Sequence, residues 1–218
     1  MLPQTKTHLA LAQYRLRARF YDAELAAFEP VRRRAVACLQ LQPGASVLDI
    51  GCGTGLSLEL LQRGVGPQGK LVGIEQSPEM VELASWRVAR QGWSNVTLLN
   101  APVESAMMGC QADAALFHFT HDILRHPEAI RHVVAHLKPG ARVVAVGLQW
   151  SAPWDWATNW WVLMAALYST TSLDGLAQPW SLLAQHVGEM QTVASPMNGV
   201  FIVSGKYLPK ESEVTHHV

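Results

Sequence analysis

Val47-Leu48-Asp49-Ile50-Gly51-Cys52-Gly53-Thr54-Gly55 decides the reading of this chain, and Glu75 stands twenty positions beyond the last of those glycines. An apolar strand running into a glycine turn and then a helix lets a ligand approach bare backbone. An acidic side chain at the end of the following strand can accept hydrogen bonds from two ribose hydroxyls. The glycines follow G-x-G-x-G, and position 56, where a dinucleotide fingerprint wants a small residue beneath a pyrophosphate, holds Leu56. The phase therefore points to a nucleoside ligand without phosphates.

Around this stretch apolar strands alternate with helical spacing. Strands are predicted near 45–50, 70–75, 95–100, 112–118 and 141–147, with helices over 55–63, 78–91 and 127–137. Ser77 is a natural N-cap with Pro78 at the first helical position. Residues 8–39 carry helical spacing interrupted around Pro30, which predicts two helices ahead of the first strand. This alternation implies a parallel sheet covered on both faces, with the ligand at the carboxyl ends of the strands.

After residue 147 the alternation stops. Six of the eight tryptophans, Trp150, Trp154, Trp156, Trp160, Trp161 and Trp180, fall between 150 and 180. Helices are predicted over 156–168 and 179–188, and strand-like runs at 189–195 and 200–207, joined by Met197-Asn198-Gly199, read as a hairpin.

The chain resembles the class I S-adenosylmethionine-dependent methyltransferases. Val47 to Leu56 resembles their first motif, and Leu71 to Met80 their second strand with its ribose-binding acid. Ala112 to Phe117 resembles their fourth strand, and Leu137 to Val144 the turn into the fifth. The resemblance spans roughly residues 14–147 and is nearest to small-molecule enzymes of the quinone-biosynthesis C-methyltransferase type. It implies a single α/β, Rossmann-like domain over residues 1–218, with a mostly parallel seven-stranded sheet, a C-terminal antiparallel hairpin and helices on both faces. The expected parts are an N-terminal helical lid (1–42), a cofactor-binding core (43–147), a tryptophan-rich acceptor-side insertion (148–188) and a closing hairpin (189–208).

The resemblance also implies S-adenosylmethionine as cofactor, with S-adenosylhomocysteine as product. Asp49, Gly51, Cys52, Gly53, Thr54 and Gly55 would line its methionine and ribose portions, and Glu75 with Gln76 would meet the ribose. Where the family often has an adenine-binding acid this chain has Pro102, so the adenine falls to the Val103 amide or to Glu104. Phe117 ends the strand nearest the transferable methyl, and Tyr21, ahead of Tyr14 and Phe20, is the preferred aromatic contact for the sulfonium. These aromatics equally suit anchoring of a helix to the core.

Within Phe117-His118-Phe119-Thr120-His121-Asp122, His121 is the candidate general base, if the acceptor must lose a proton. His118 packing in the strand and Asp122 capping a turn are the plain alternatives for their neighbours. His132 and His136 lie four apart on a helix, a metal-pair spacing with no third ligand in register, and read as surface histidines.

With 218 residues, 49% of them hydrophobic and 16% charged, the chain has the composition of one compact domain. A formal charge of zero gives no net field toward nucleic acid. Arg32, Arg33 and Arg34 read as a solvated helix face. The three cysteines, Cys38, Cys52 and Cys110, have neither metal spacing nor even pairing, which suits reduced thiols in a cytoplasmic protein. Cys52 reads as a small loop residue. No leader or membrane span is expected, and the sequon Asn95-Val96-Thr97 is read as fortuitous. The expected partner is a small acceptor under a tryptophan roof. A hydrophobic core between lid helices, a homodimer contact or a transient membrane contact through the same segment are the other readings.

Overall fold

The computed structural model describes residues 25–170, 172–188 and 190–209. Seven strands form one sheet: β1 (Ser46–Ile50), β2 (Lys70–Glu75), β3 (Val96–Asn100), β4 (Ala112–His118), β5 (Leu137–Leu148), β6 (Gln191–Val193) and β7 (Val200–Lys206). Their order is β3-β2-β1-β4-β5-β7-β6. β1 to β5 pair in parallel, and β7 runs antiparallel to both β5 and β6. The α/β fold with its closing antiparallel hairpin is as the sequence implied.

Helix α1 (Glu29–Cys38) precedes β1, α2 (Leu58–Val65) comes after it, and α3 (Pro78–Gln91) links β2 to β3. The short α4 (His121–Leu124) and α5 (Pro127–Ala135) lie between β4 and β5, while α6 (Trp156–Ser169) and α7 (Ser181–Ala184) lie between β5 and β6. Pro30 sits in the first turn of α1, where its missing N–H costs nothing, so the interruption read there is a helix start. Ser77 caps α3 as expected, accepting the Met80 amide at 3.3 Å.

The strand alternation sorts the core into two layers. On one side Val47, Ala114 and Leu116 pack with Val31 and Ala35 of α1, Leu61 of α2 and Val162 of α6. On the other Leu48, Ile50, Ala115 and Phe117 pack with Ile130 and Val133 of α5 and Leu183 of α7. Since successive side chains point to opposite faces, Asp49 and His118 are directed to the α1 side.

Three boundaries differ from expectation. β5 starts at Leu137 rather than near 141, because Leu137 pairs with Ala112 and Arg142 with Ala114 across an irregularity that carries Gly140 at φ +82°. The helix expected over 179–188 is only α7. β6 is confined to Gln191–Val193 at the sheet edge. Between α2 and β2, Asn95 clamps the connection: its Nδ2 donates to the Gly66 and Gly69 carbonyls at 3.1 and 2.8 Å, and its Oδ1 accepts from Gln62 at 2.9 Å. Among the described residues no helix is long and apolar enough to cross a membrane.

Candidate active site

The chain leaves β1 toward β2 on one side and returns to β4 on the other, so the loops after β1 and β4 diverge at the carboxyl edge of the sheet. That divergence is where open α/β sheets bind ligands. A pocket opens there, lined by Leu25, Arg32, Asp49, His118 and the loop residues Gly51 to Thr54, Leu56 and Ser57.

The loop turns through left-handed backbone at Gly51 (φ +64°), Gly53 (φ +56°) and Gly55 (φ +80°). At Gly51 a Cβ would lie 2.6 Å from Thr120 Cγ2, and at Gly55 one would lie 2.8 Å from Leu58 Cδ1. Torsion demands glycine at all three positions, and at Gly51 the space is short as well. Cys52 is buried and packs against Gly73, where a Cβ would come within 2.9 Å of its sulfur. Burial pushes its thiol pKa well up, with Asp49 and Glu75 adding to the effect. It serves as a small apolar residue.

Glu75 ends β2 half-buried, with Oε2 accepting the Gly53 amide at 3.1 Å and Oε1 the Ser77 amide at 2.9 Å. Burial raises its pKa, and the amides of Ser77, Gly53 and Gln76 oppose the rise. A carboxylate that already ties strand end to glycine loop keeps further lone pairs for ligand hydroxyls.

Asp49, 2% exposed, is pushed up to about 7 by burial; Arg32 opposes the shift and Glu75 adds to it. Its Oδ2 is enclosed and has no hydrogen-bond partner among the described residues. Arg32 is 2% exposed too, against the solvated face expected of it, while Arg33 and Arg34 are exposed. Its Nη1 pairs with Glu29, and its Nε and Nη2 are enclosed without partners among the described residues. The reason lies in register: Arg32 is four residues after Phe28 and three before Ala35, on the stripe that faces the sheet. A lone charge on an apolar stripe was the readable signal.

His118, not His121, faces this pocket. His118 Nε2 is enclosed without a partner among the described residues, and burial, then Arg32, lowers its pKa to about 3. His121 is buried against β5, where its Nε2 lies 3.0 Å from the Leu148 carbonyl and its ring meets Phe201 edge-on at 6.3 Å. Burial lowers its pKa. A Cβ at Gly147 would lie 2.6 Å from that ring. His121 is therefore a packed, hydrogen-bonded core histidine that does not line the pocket, where a general base was expected. Phe117 likewise is fully buried among core side chains and does not line the pocket.

Phe119 makes the switch between the two histidines. It adopts φ +57°, rare for a side chain of its size, and donates its amide to the Val146 carbonyl at 2.8 Å. Its ring meets those of Phe28 and His118, both at 4.9 Å, and Phe28 reaches Trp161 of α6 at 6.2 Å. This aromatic cluster joins the pocket wall to the tryptophan-rich segment.

At the other end, Val103 is buried in a 3-10 turn (Val103–Ser105) and Glu104 is exposed, both after Pro102. Gln76 is half-buried beside Glu75. His132 Nε2 lies 2.8 Å from the Ala106 carbonyl and His136 Nδ1 2.8 Å from that of His132, so both rings are held by backbone. Tyr14, Phe20 and Tyr21, with most of the proposed lid, fall outside the described residues.

Residues 47–140 match the family described as a methyltransferase domain. The match covers the glycine loop, Glu75 and β4 together. A trans-aconitate 2-methyltransferase from Pseudomonas paraeruginosa is 33% identical over 132 residues, 58% of this chain and 46% of that protein. A demethylmenaquinone methyltransferase from Lactococcus lactis is 31% identical over 47% of this chain and 42% of its own length. The chain spans no more than about half the length of such relatives. Among solved structures, the N-methyltransferase NodS from Bradyrhizobium japonicum, in complex with S-adenosylhomocysteine, superposes with a TM-score of 0.61 at 18% identity. That superposition covers 86% of this chain and 91% of NodS. The likeness in fold thus extends beyond the matched residues 47–140.

Proposed function

We propose that this chain is a methyltransferase that transfers the methyl group of S-adenosylmethionine to a small, hydrophobic or aromatic acceptor. The observation that carries the cofactor is the Glu75 carboxylate, fixed at the end of β2 by the Gly53 and Ser77 amides beside the glycine turn. The remaining polar atoms fit the same molecule. Enclosed and without partners among the described residues, Asp49 Oδ2 suits the ammonium of the methionyl end, and Arg32 Nε and Nη2 suit its carboxylate. Half-buried Leu56 disfavours a pyrophosphate at the helix start, in keeping with the phase of the glycines.

Bound, the cofactor supplies an electrophilic methyl on a sulfonium. The chain contributes alignment, exclusion of water and a suitable field. His118, kept neutral by burial and by Arg32, adds no positive charge beside a sulfonium, and its Nε2 can accept a hydrogen bond from an acceptor. The apolar acceptor is supported by Phe119 against that histidine, with Phe28 and then Trp161 packed behind it, and by the absence of Lys or Arg from 143 to 205. A ring acceptor of the quinone-precursor kind is the finer reading. Three unpaired thiols suit a reducing, cytoplasmic compartment.

Calorimetric titration with S-adenosylmethionine, S-adenosylhomocysteine and NADH tests the cofactor. Binding of the first two without the third is expected, followed by homocysteine release with phenolic or quinol acceptors. NADH binding alone overturns the proposal.

A further inference from the structure

Helix α6 presents an apolar face that nothing in the described residues covers. Trp156, Trp160, Met164 and Leu167 are 78%, 63%, 42% and 55% exposed, and Tyr168 beside them 52%. Their spacing of four, four and three places them on one stripe, opposite buried Val162 and Ala166. The helix carries no charged residue. Along the stripe runs a groove of about 500 Å³, walled by Trp150, Pro153, Trp156, Asn159, Trp160 and Leu163. Asn159 is already spent on the Ser151 amide and the Ala152 carbonyl, so the groove has little polarity to offer.

We infer that this face pairs with the same face of a second copy of the chain, α6 against α6 about a two-fold axis. A self-paired surface must be its own complement, and here a ridge lies beside a groove on one helix. The row Trp156, Trp160, Met164, Tyr168 is an i±4 ridge, the kind that interdigitates with its like at a crossing angle of about −50°. A large aromatic can bury 150–250 Å², so Trp156 and Trp160 at these exposures, with Met164 and Leu167, leave roughly 500 Å² in one stripe. Over both partners that is about 1,000 Å², the size of a weak, reversible interface, and it lies toward the upper end of what a monomer leaves in one patch. A two-fold brings like residues together, and an uncharged helix meets no repulsion there.

A lipid surface fits less well. A bilayer has no use for a groove, and the stretch from 143 to 205 offers no lysine or arginine to lipid phosphates.

Sedimentation velocity on the full chain, over a concentration series into the hundreds of micromolar, tests the pairing. The expected result is a reversible dimer whose dissociation constant rises about tenfold or more in Trp160→Glu and in Leu167→Glu. Trp86→Glu, at a 61% exposed tryptophan on α3, should leave the dimer unchanged. Far-UV circular dichroism and cofactor titration establish that each variant is folded, and neither substituted α6 residue lines the cofactor pocket. A monomer at every concentration overturns the inference. So does a dimer indifferent to both α6 variants. A monomer that pellets with phosphatidylcholine vesicles through Trp160 would replace the second copy with a lipid surface.

Discussion

Glu75 holds the glycine loop to the end of β2 by accepting the Gly53 amide at 3.1 Å. The same carboxylate is the proposed ribose ligand, so Glu75→Ala removes a ligand contact and a loop anchor together. The expected loss in S-adenosylmethionine affinity is about 1.5–3 kcal/mol, roughly tenfold to a hundredfold or more, by isothermal calorimetry. A folded variant with unchanged affinity would remove the ribose assignment.

Arg32→Met separates binding from stability. The guanidinium is buried with Nε and Nη2 unpartnered among the described residues, so replacing it with an apolar side chain of similar length should leave the ligand-free protein as stable or more so. The affinity for cofactor should fall about tenfold or more, read as a raised KM with kcat less affected. A sharp fall in melting temperature without a change in KM would make Arg32 structural.

Asp49 gives the site a pH dependence with a definite sign. Its folded pKa is raised from 3.8 to about 7, so the folded state holds the proton more tightly. The stability this contributes is full below the ordinary carboxylate range and is lost as pH rises through about 7, on the order of 4 kcal/mol in total. Urea unfolding of the ligand-free protein should show wild type losing stability relative to Asp49→Asn between about pH 4 and about pH 7 and little further change above. Cofactor affinity should run the other way, tightening with pH as the carboxylate ionises to meet the ammonium.

The two histidines should separate cleanly. His121→Ala leaves the Leu148 carbonyl without its partner and opens a gap against Phe201, costing about 1–3 kcal/mol in denaturant unfolding with turnover per folded molecule preserved. His118→Ala should lower turnover with a smaller stability change. The reverse pattern would return the acceptor side to His121.

Gly51→Ala sets a methyl against Thr120 Cγ2 and forces a left-handed torsion on alanine. A loss of about 1–2 kcal/mol is expected from the torsion alone. Thr120→Ser deletes the clashing methyl group, so the double variant should recover the steric part and leave the torsional part. Purely additive losses would show that the contact is not what excludes a side chain there.

Much of the scaffold was legible because its signals are local. β4 reads as an apolar strand over the residues it occupies, and Ser77-Pro78 announces a helix start on its own. The two-residue period of β4 even determines the face on which His118 lies. The turn beyond β4 was not legible. Phe119 takes a left-handed torsion that no property of phenylalanine suggests, and this turns His121 off the pocket and under β5. The inward face of Arg32 was not legible for a related reason. Three consecutive arginines look alike as composition, and only the docking of α1 on the sheet distinguishes the one that faces inward.

The clamp at Asn95 has a consequence for maturation. An amide nitrogen has two hydrogens, and Asn95 Nδ2 commits both, to the carbonyls of Gly66 and Gly69. An N-linked sugar would have to replace one of them and push apart the connection that delivers β2 to the sheet. Once the chain has folded, Asn95-Val96-Thr97 is a glycosylation signal in spelling only, and a glycosyltransferase could modify it solely by unfolding the edge of the sheet first.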